Sequence, residues 1–213
     1  MTDSETGLDI RSIIDGLRRK RPLFHSEADF QFAFAWEIQR LYTYANIRLE
    51  YPPVYEPNKY IDILVRIDSH CYPIELKYKT KKLSVMSDGE PYHLKNHEAQ
   101  DLGAYDFVKD ICRVELFADK LEGFMKGYTI WLTNDPYYWN VPINPNAGYA
   151  PFSVHNGAIK TGTMGWGGNP GTGTIRGREK ELFLHGEYKI EWENYSDLDI
   201  RQGVFKYALN CIG

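Results

Sequence analysis

Two apolar runs, "YIDILVRI" at 60–67 and "YPIELKY" at 72–78, are separated by only four residues, "DSHC". That spacing constrains the chain more than any other feature. Both runs are rich in branched and aromatic residues, and so short a link joins adjacent strands of one sheet, not a strand and a helix. Side chains alternate along a strand. Ile61, Ile63, Val65 and Ile67 therefore share one face, with Tyr60, Asp62, Leu64 and Arg66 on the other. In the second run Ile74, Leu76 and Tyr78 share a face, and Glu75 and Lys77 lie opposite. If the strands pair as a meander, Asp62, Glu75 and Lys77 converge on one patch of sheet.

The flanking sequence predicts what surrounds that patch. "FHSEADFQFAFAWEIQRLYTY" at 24–44 reads as a helix capped by Ser26 and Asp29, with an apolar stripe of Phe30, Ala33, Phe34 and Leu41. "NIRLEY" reads as a strand, and a polar stretch with Gly89 and Pro91 follows the central pair. "NHEAQDLGAYDFVKDICRVELFADKL" reads as a helix despite Gly103, and "GYTIWLTND" as a strand. The order over 24–135 is α-β-β-β-α-β, with an antiparallel meander and a helical crossover to a parallel strand. An amphipathic segment over 1–22 precedes it. From 136 the chain turns loop-rich, with a hairpin turn expected at Asn156–Gly157 and "LFLHGEYKIEW" read as a further strand or a strand pair turned at His185–Gly186. The expectation is a single α/β domain over 1–213, its core at about 24–135 and a β-rich C-terminal elaboration at about 136–213.

Composition narrows the function. A hydrophobic fraction of 43% and an aromatic fraction of 15% belong to a folded globule. A net charge of −4 and a pI near 5.9 mark no broadly basic nucleic-acid binder. Basic clusters stand at 18–21, at 77–82 and at Arg176, Arg178 and Lys180; each taken alone reads as a solvated face. No apolar run approaches the roughly 18 residues that span a bilayer. The polar N-terminus is unlike a secretory signal, and three scattered cysteines suggest neither a disulfide framework nor a zinc site, so a cytoplasmic location is expected.

Two neighbouring carboxylates repel unless a cation lies between them, and a hard dication prefers such oxygen ligands. An ammonium beside them can orient or deprotonate an activated water, or stabilise charge developing on a phosphate. The bland alternative is a surface Glu–Lys pair with Asp62 as an ordinary exposed residue. Asp in one strand and E-x-K in the next, within that element order, resembles the PD-(D/E)xK nuclease superfamily, whose fold is the restriction-endonuclease-like core. Ile61 stands where the family pattern has proline. The stretches "SEADFQ", "IELKY", "AQDLGAYDFVKDI" and "LTNDPYYW" are similar to a bacterial branch of such proteins. The resemblance implies a magnesium-dependent hydrolase, with manganese able to substitute, that cleaves phosphodiester bonds in DNA by a metal-activated water; RNA stays open as substrate. Asp62 and Glu75 would hold the metal with the carbonyl of Leu76, and Lys77 would be the catalytic lysine. It also implies a first-helix acid, Glu27 with Glu37 as the alternative, and a supporting Gln100, whose Q-x-x-x-Y pattern is offset here by one residue. A homodimer or a protein partner remains open. The rival reading is a catalytically silent nuclease-like module that binds nucleic acid or a protein.

Other features read as structure. Asp101, Asp106, Lys109 and Asp110 are expected as surface charges or i,i+4 partners, His93 and His97 as surface histidines, and "YYW" at 137–139 as a core or hinge cluster. "GWGGNPGTGT" lacks the Gly-Lys-Ser/Thr ending of a phosphate loop.

Overall fold

The computed structural model of the chain describes residues 7–56, 58–168 and 175–213. The start of the expected N-terminal segment and the last six residues of "GWGGNPGTGT" lie outside the described residues. Helix α1 (Ile10–Arg18) is capped by Asp9, which accepts from the Ser12 amide at 3.0 Å, and buries Ile10, Ile13, Ile14 and Leu17 along one stripe. Helix α2 (Glu27–Leu41) is capped by Ser26, whose hydroxyl accepts from the Asp29 amide at 3.1 Å. Asp29 reaches back to the His25 amide at 2.9 Å, one residue beyond the N-cap amide of the usual capping-box exchange. Its buried stripe runs through Phe30, Phe34 and Ile38; Leu41 lies past the turn that contacts the sheet and is 40% exposed.

Strands β1 (Asn46–Tyr51), β2 (Ile61–Ile67) and β3 (His70–Lys79) form the antiparallel meander. The polar stretch that follows is a hairpin, β4 (Leu83–Ser87) and β5 (Glu90–Leu94), turned by Asp88 and Gly89 at φ 52° and 79°. Helix α3 (Gln100–Lys120) crosses over to β6 (Gly127–Thr133), which pairs parallel with β3. Beyond a 3-10 turn at Ala150–Phe152 come β7 (Ile159–Met164), β8 (Leu182–Lys189), β9 (Trp192–Asp197) and β10 (Val204–Ile212). The expected α-β-β-β-α-β order is present as α2-β1-β2-β3-α3-β6, with the hairpin inserted.

The result is a mixed α/β fold on a six-stranded sheet of order β1-β2-β3-β6-β10-β9. One face packs against α1, α2 and the β4–β5 hairpin through Ile63, Val65, Ile74, Leu76, Tyr78 and Phe205. The other packs against α3 and the separate β7–β8 ribbon through Leu64, Trp131, Ala208 and Ile212. The last two strands extend the central sheet itself. Of the two readings of "LFLHGEYKIEW" the single strand holds over 182–189: β8 does not turn back at His185–Gly186 but shifts register against β7 there, and Glu115 of α3 accepts from both amides, at 3.0 and 2.8 Å. Asn156–Gly157 does turn, with Gly157 at φ 84°, but it joins no pair of adjacent strands. Among the described residues, no helix is long and apolar enough to cross a membrane.

Candidate active site

The β2–β3 register runs from Ile67 opposite His70 to Ile63 opposite Ile74 and stops there. β3 continues to Lys79 with β6 as its neighbour. Alternate residues of a strand turn their amide and carbonyl to the same side, so Leu76 and Tyr78 present theirs to the side that β2 has left. Carboxylates fill the vacated places. Asp62 accepts from the Leu76 amide at 2.6 Å, and Glu27, the first residue of α2, accepts from the Tyr78 amide at 2.8 Å. The carbonyl of Leu76 faces the same gap and meets the Lys77 ammonium at 3.5 Å. Gln31, one turn after Glu27, donates to the Asp62 carbonyl at 2.7 Å and to Glu50 at 2.8 Å. Glu50 sits at φ 49°, a local distortion of β1 where it runs beside Asp62.

Glu75 and Lys77 project from the sheet toward α3, which meets each with an opposite charge. Arg113 donates to the buried Glu75 carboxylate at 2.9 Å and to the Tyr60 carbonyl at 2.6 Å, tying α3 to the start of β2. Asp110 pairs with Lys77 at 2.9 Å. Asp110 is 5% exposed and Asp106 binds Arg178 through two hydrogen bonds, so neither is the surface charge that the sequence suggested. A cleft of about 350 Å³ opens beside these pairs, lined by Lys59, Tyr60, Lys77, Lys109 and Arg113.

Charge in this cluster is unbalanced. Glu27, Asp62, Glu75 and Asp110 face Lys77 and Arg113, two more acids than bases. Burial raises the Asp62 carboxyl to about 6; the Leu76 amide and Lys77 oppose the rise, and Asp110 and Glu27 add to it. Burial, then Asp62 and Asp110, push Glu75 well above the usual carboxylate range, and burial raises Asp110. Burial alone would lower Lys77, but Asp110, Glu27 and Asp62 outweigh it and hold the ammonium above its ordinary value. Glu75 Oε1, Arg113 Nε, the Tyr55 hydroxyl and Glu56 Oε2 are buried without a hydrogen bond. Tyr55 lies within electrostatic reach of Glu56, Glu75 and Arg113, so these atoms belong to one neighbourhood. Buried polar atoms normally find partners, and a concentration of orphans marks a place that water or an ion completes.

The structure therefore brings Asp62, Glu75, Lys77, the Leu76 carbonyl and Glu27 together. Glu37 lies elsewhere: it is 2% exposed and holds Lys20 at 2.6 Å and Arg40 at 2.7 Å, over Gly16 of α1. Gln100 donates to Asp135 at 3.3 Å, beside Lys81, and stands ten residues, about 15 Å, along α3 from Asp110. Of the basic run at 18–21, Arg18, Lys20 and Arg21 pair with Asp15, Glu37 and Asp29. Arg113, Gln31 and Glu50 went unread in the sequence, and Asp110 was read there only as a surface charge or a helix partner. Asp110 and Arg113 carry one recoverable signal, an i,i+3 acid–base step on the helix that crosses the charged face. Among the described residues, no three histidine, cysteine or acidic side chains are gathered to hold a metal. The oxygen donors nearest that role are Asp62, Glu75 Oε1 and the Leu76 carbonyl. No family model, curated protein or solved structure matches the chain.

Proposed function

We propose that the protein is a metal-dependent nuclease of the PD-(D/E)xK type on a restriction-endonuclease-like core, hydrolysing phosphodiester bonds in DNA. The observation that carries this reading is the gap between β2 and β3. There carboxylates, a main-chain carbonyl outside the strand ladder and an ammonium converge, with acids in excess by the charge of one dication. The donor set fits magnesium or manganese: all oxygen, partly buried, with Glu75 Oε1 lacking any partner. Asp62, Glu75 and the Leu76 carbonyl would hold the ion, and Glu27 lies beside them on the Tyr78 amide. When bound, the ion would supply Lewis-acid stabilisation and a more acidic attacking water. Lys77, kept protonated by Asp110, serves as a donor to the attacking water and to charge growing on the phosphate, not as a base. Lys59 and Lys109 on the cleft rim are placed to receive the strand.

One observation favours a second reading. Arg113 already neutralises Glu75, and Asp110 already neutralises Lys77, as they would in a catalytically silent module that only binds nucleic acid or a protein. Calorimetry with manganese, followed by incubation with plasmid, linear and single-stranded DNA, separates the two. The nuclease binds the ion and cuts. Lys77→Ala then lowers cleavage by at least about a hundredfold, the scale of a lost transition-state donor, with an unchanged circular dichroism spectrum. Full activity in that variant sinks the role given to Lys77. No manganese binding by the wild-type protein sinks the nuclease reading.

A further inference from the structure

Gly103 sits inside α3, where glycine costs about 1 kcal/mol relative to alanine. Tyr138 explains it: its hydroxyl oxygen lies 2.6 Å from where a Cβ on Gly103 would stand. Tyr138 is 2% exposed, its ring wedged against Trp131, and its hydroxyl makes no hydrogen bond to another of the described residues. That hydroxyl and Gly103 line a cavity of about 290 Å³ at the start of α3, together with Lys79, His97, Arg178 and the backbone of 96–99. α3 begins there at Ala99, in the left-handed region at φ 58°, with no side-chain cap. The Leu102 amide is taken by Asp101 and the Gly103 amide by Ala99, which leaves the first amides of the helix without intrahelical partners. His97 accepts the Thr80 amide on Nδ1 at 2.9 Å, so its neutral ring carries the proton on Nε2 as a donor. Asp106 engages two of the three Arg178 guanidinium nitrogens, Glu98 is the other acid on the cavity wall, and Asp135 and Asp101 lie within electrostatic reach of the Tyr138 hydroxyl.

We infer that this cavity is an anion pocket for a phosphate group, with the Tyr138 hydroxyl, the His97 ring, Lys79 and the start of α3 as its donors. Glycine at 103 holds the space for that hydroxyl, and the helix terminus adds a field that favours negative charge. Lys79 shares the strand face of Lys77, a two-residue step of about 6.7 Å along β3, and Asp106 lines both this cavity and the cleft. Resting on the nuclease reading, the occupant is the phosphate next to the scissile one on the same strand; apart from it, the pocket takes free phosphate.

Tyr138→Phe tests this cleanly, because it removes one unpaired oxygen and leaves the packing in place. Binding of inorganic phosphate, and of a short single-stranded oligodeoxynucleotide in chelator, is measured by calorimetry for wild type and variant at equal thermal stability. The pocket predicts about a tenfold loss of affinity for both probes, the order of one hydrogen bond to a charged group. Loss for inorganic phosphate alone keeps the pocket and assigns it to free phosphate. Absence of phosphate binding by the wild type, or equal affinities in wild type and variant, overturns it. Gly103→Ala, which crowds the hydroxyl, is expected to match Tyr138→Phe. Manganese binding decides the nuclease reading separately: the Tyr138→Phe effect without any manganese binding keeps the pocket and discards the nuclease.

Discussion

Asp62 carries the sharpest conflict of any side chain in the protein. Its carboxylate holds the Leu76 amide, yet burial, Asp110 and Glu27 raise its pKa to about 6, above the usual 3.8. A carboxyl raised on folding helps stability fully below its unfolded pKa, and that help is lost as pH climbs through the folded value. Without a dication the loss accumulates between about pH 4 and 6 and amounts to roughly 3 kcal/mol. Asp62→Asn keeps an acceptor for Leu76 and cannot ionise. Urea denaturation in chelator should find it more stable than wild type by about 1–2 kcal/mol at pH 8, with the curves converging near pH 4. A constant difference across that range would dismiss the electrostatic account. Asp62, Glu75 and Lys77 were legible because strand alternation assigns each residue a face. Arg113 and Asp110 were not, since a charge on a helix looks solvated until the helix is laid over a sheet. Glu37 was read as the alternative first-helix acid; its partners Lys20 and Arg40 show why it stays buried away from the site.

Strand and helix boundaries followed from caps and alternation wherever local chemistry decided them. The β4–β5 hairpin was missed although "LSVMSDGEPYHL" carries alternation around an Asp-Gly turn, because Pro91 and the polar surroundings masked it. For β8 the sequence left two readings, one strand or a pair turned at His185–Gly186; Glu115, some seventy residues away, fixes the backbone there, and no local pattern contains that fact. The β7–β8 ribbon holds a second buried charge. Lys160, 5% exposed, donates to the Pro151 carbonyl at 2.8 Å, and burial lowers its pKa to about 8. An amine lowered on folding contributes stability above its unfolded pKa near 10.4, and that contribution is lost as pH falls through about 8. Lys160→Met should therefore stabilise the protein by about 1–2 kcal/mol at pH 7, after allowance for the lost hydrogen bond. The advantage should shrink toward pH 10 in thermal denaturation.

At the scale of the molecule, the meander and the parallel crossover were readable from short links and a long helix. The placement of β10 between β6 and β9 was not, because it pairs residues more than seventy positions apart. Every residue of β6 is buried, with β3 on one side and β10 on the other. A chain truncated before Val204 would leave β6 as an open apolar edge, and it should sediment as aggregate and lose near-ultraviolet dichroism, not survive as a smaller folded core. The vacancy beside β3 has the opposite character. Where β2 departs, the seam is stitched by acid groups from another strand and a helix, so its tightness answers to proton and dication activity as no amide-to-amide ladder does. Any cation that draws Asp62 or Glu27 from the backbone must loosen the weave at that point, and deuterium uptake at the Leu76 and Tyr78 amides would report its arrival.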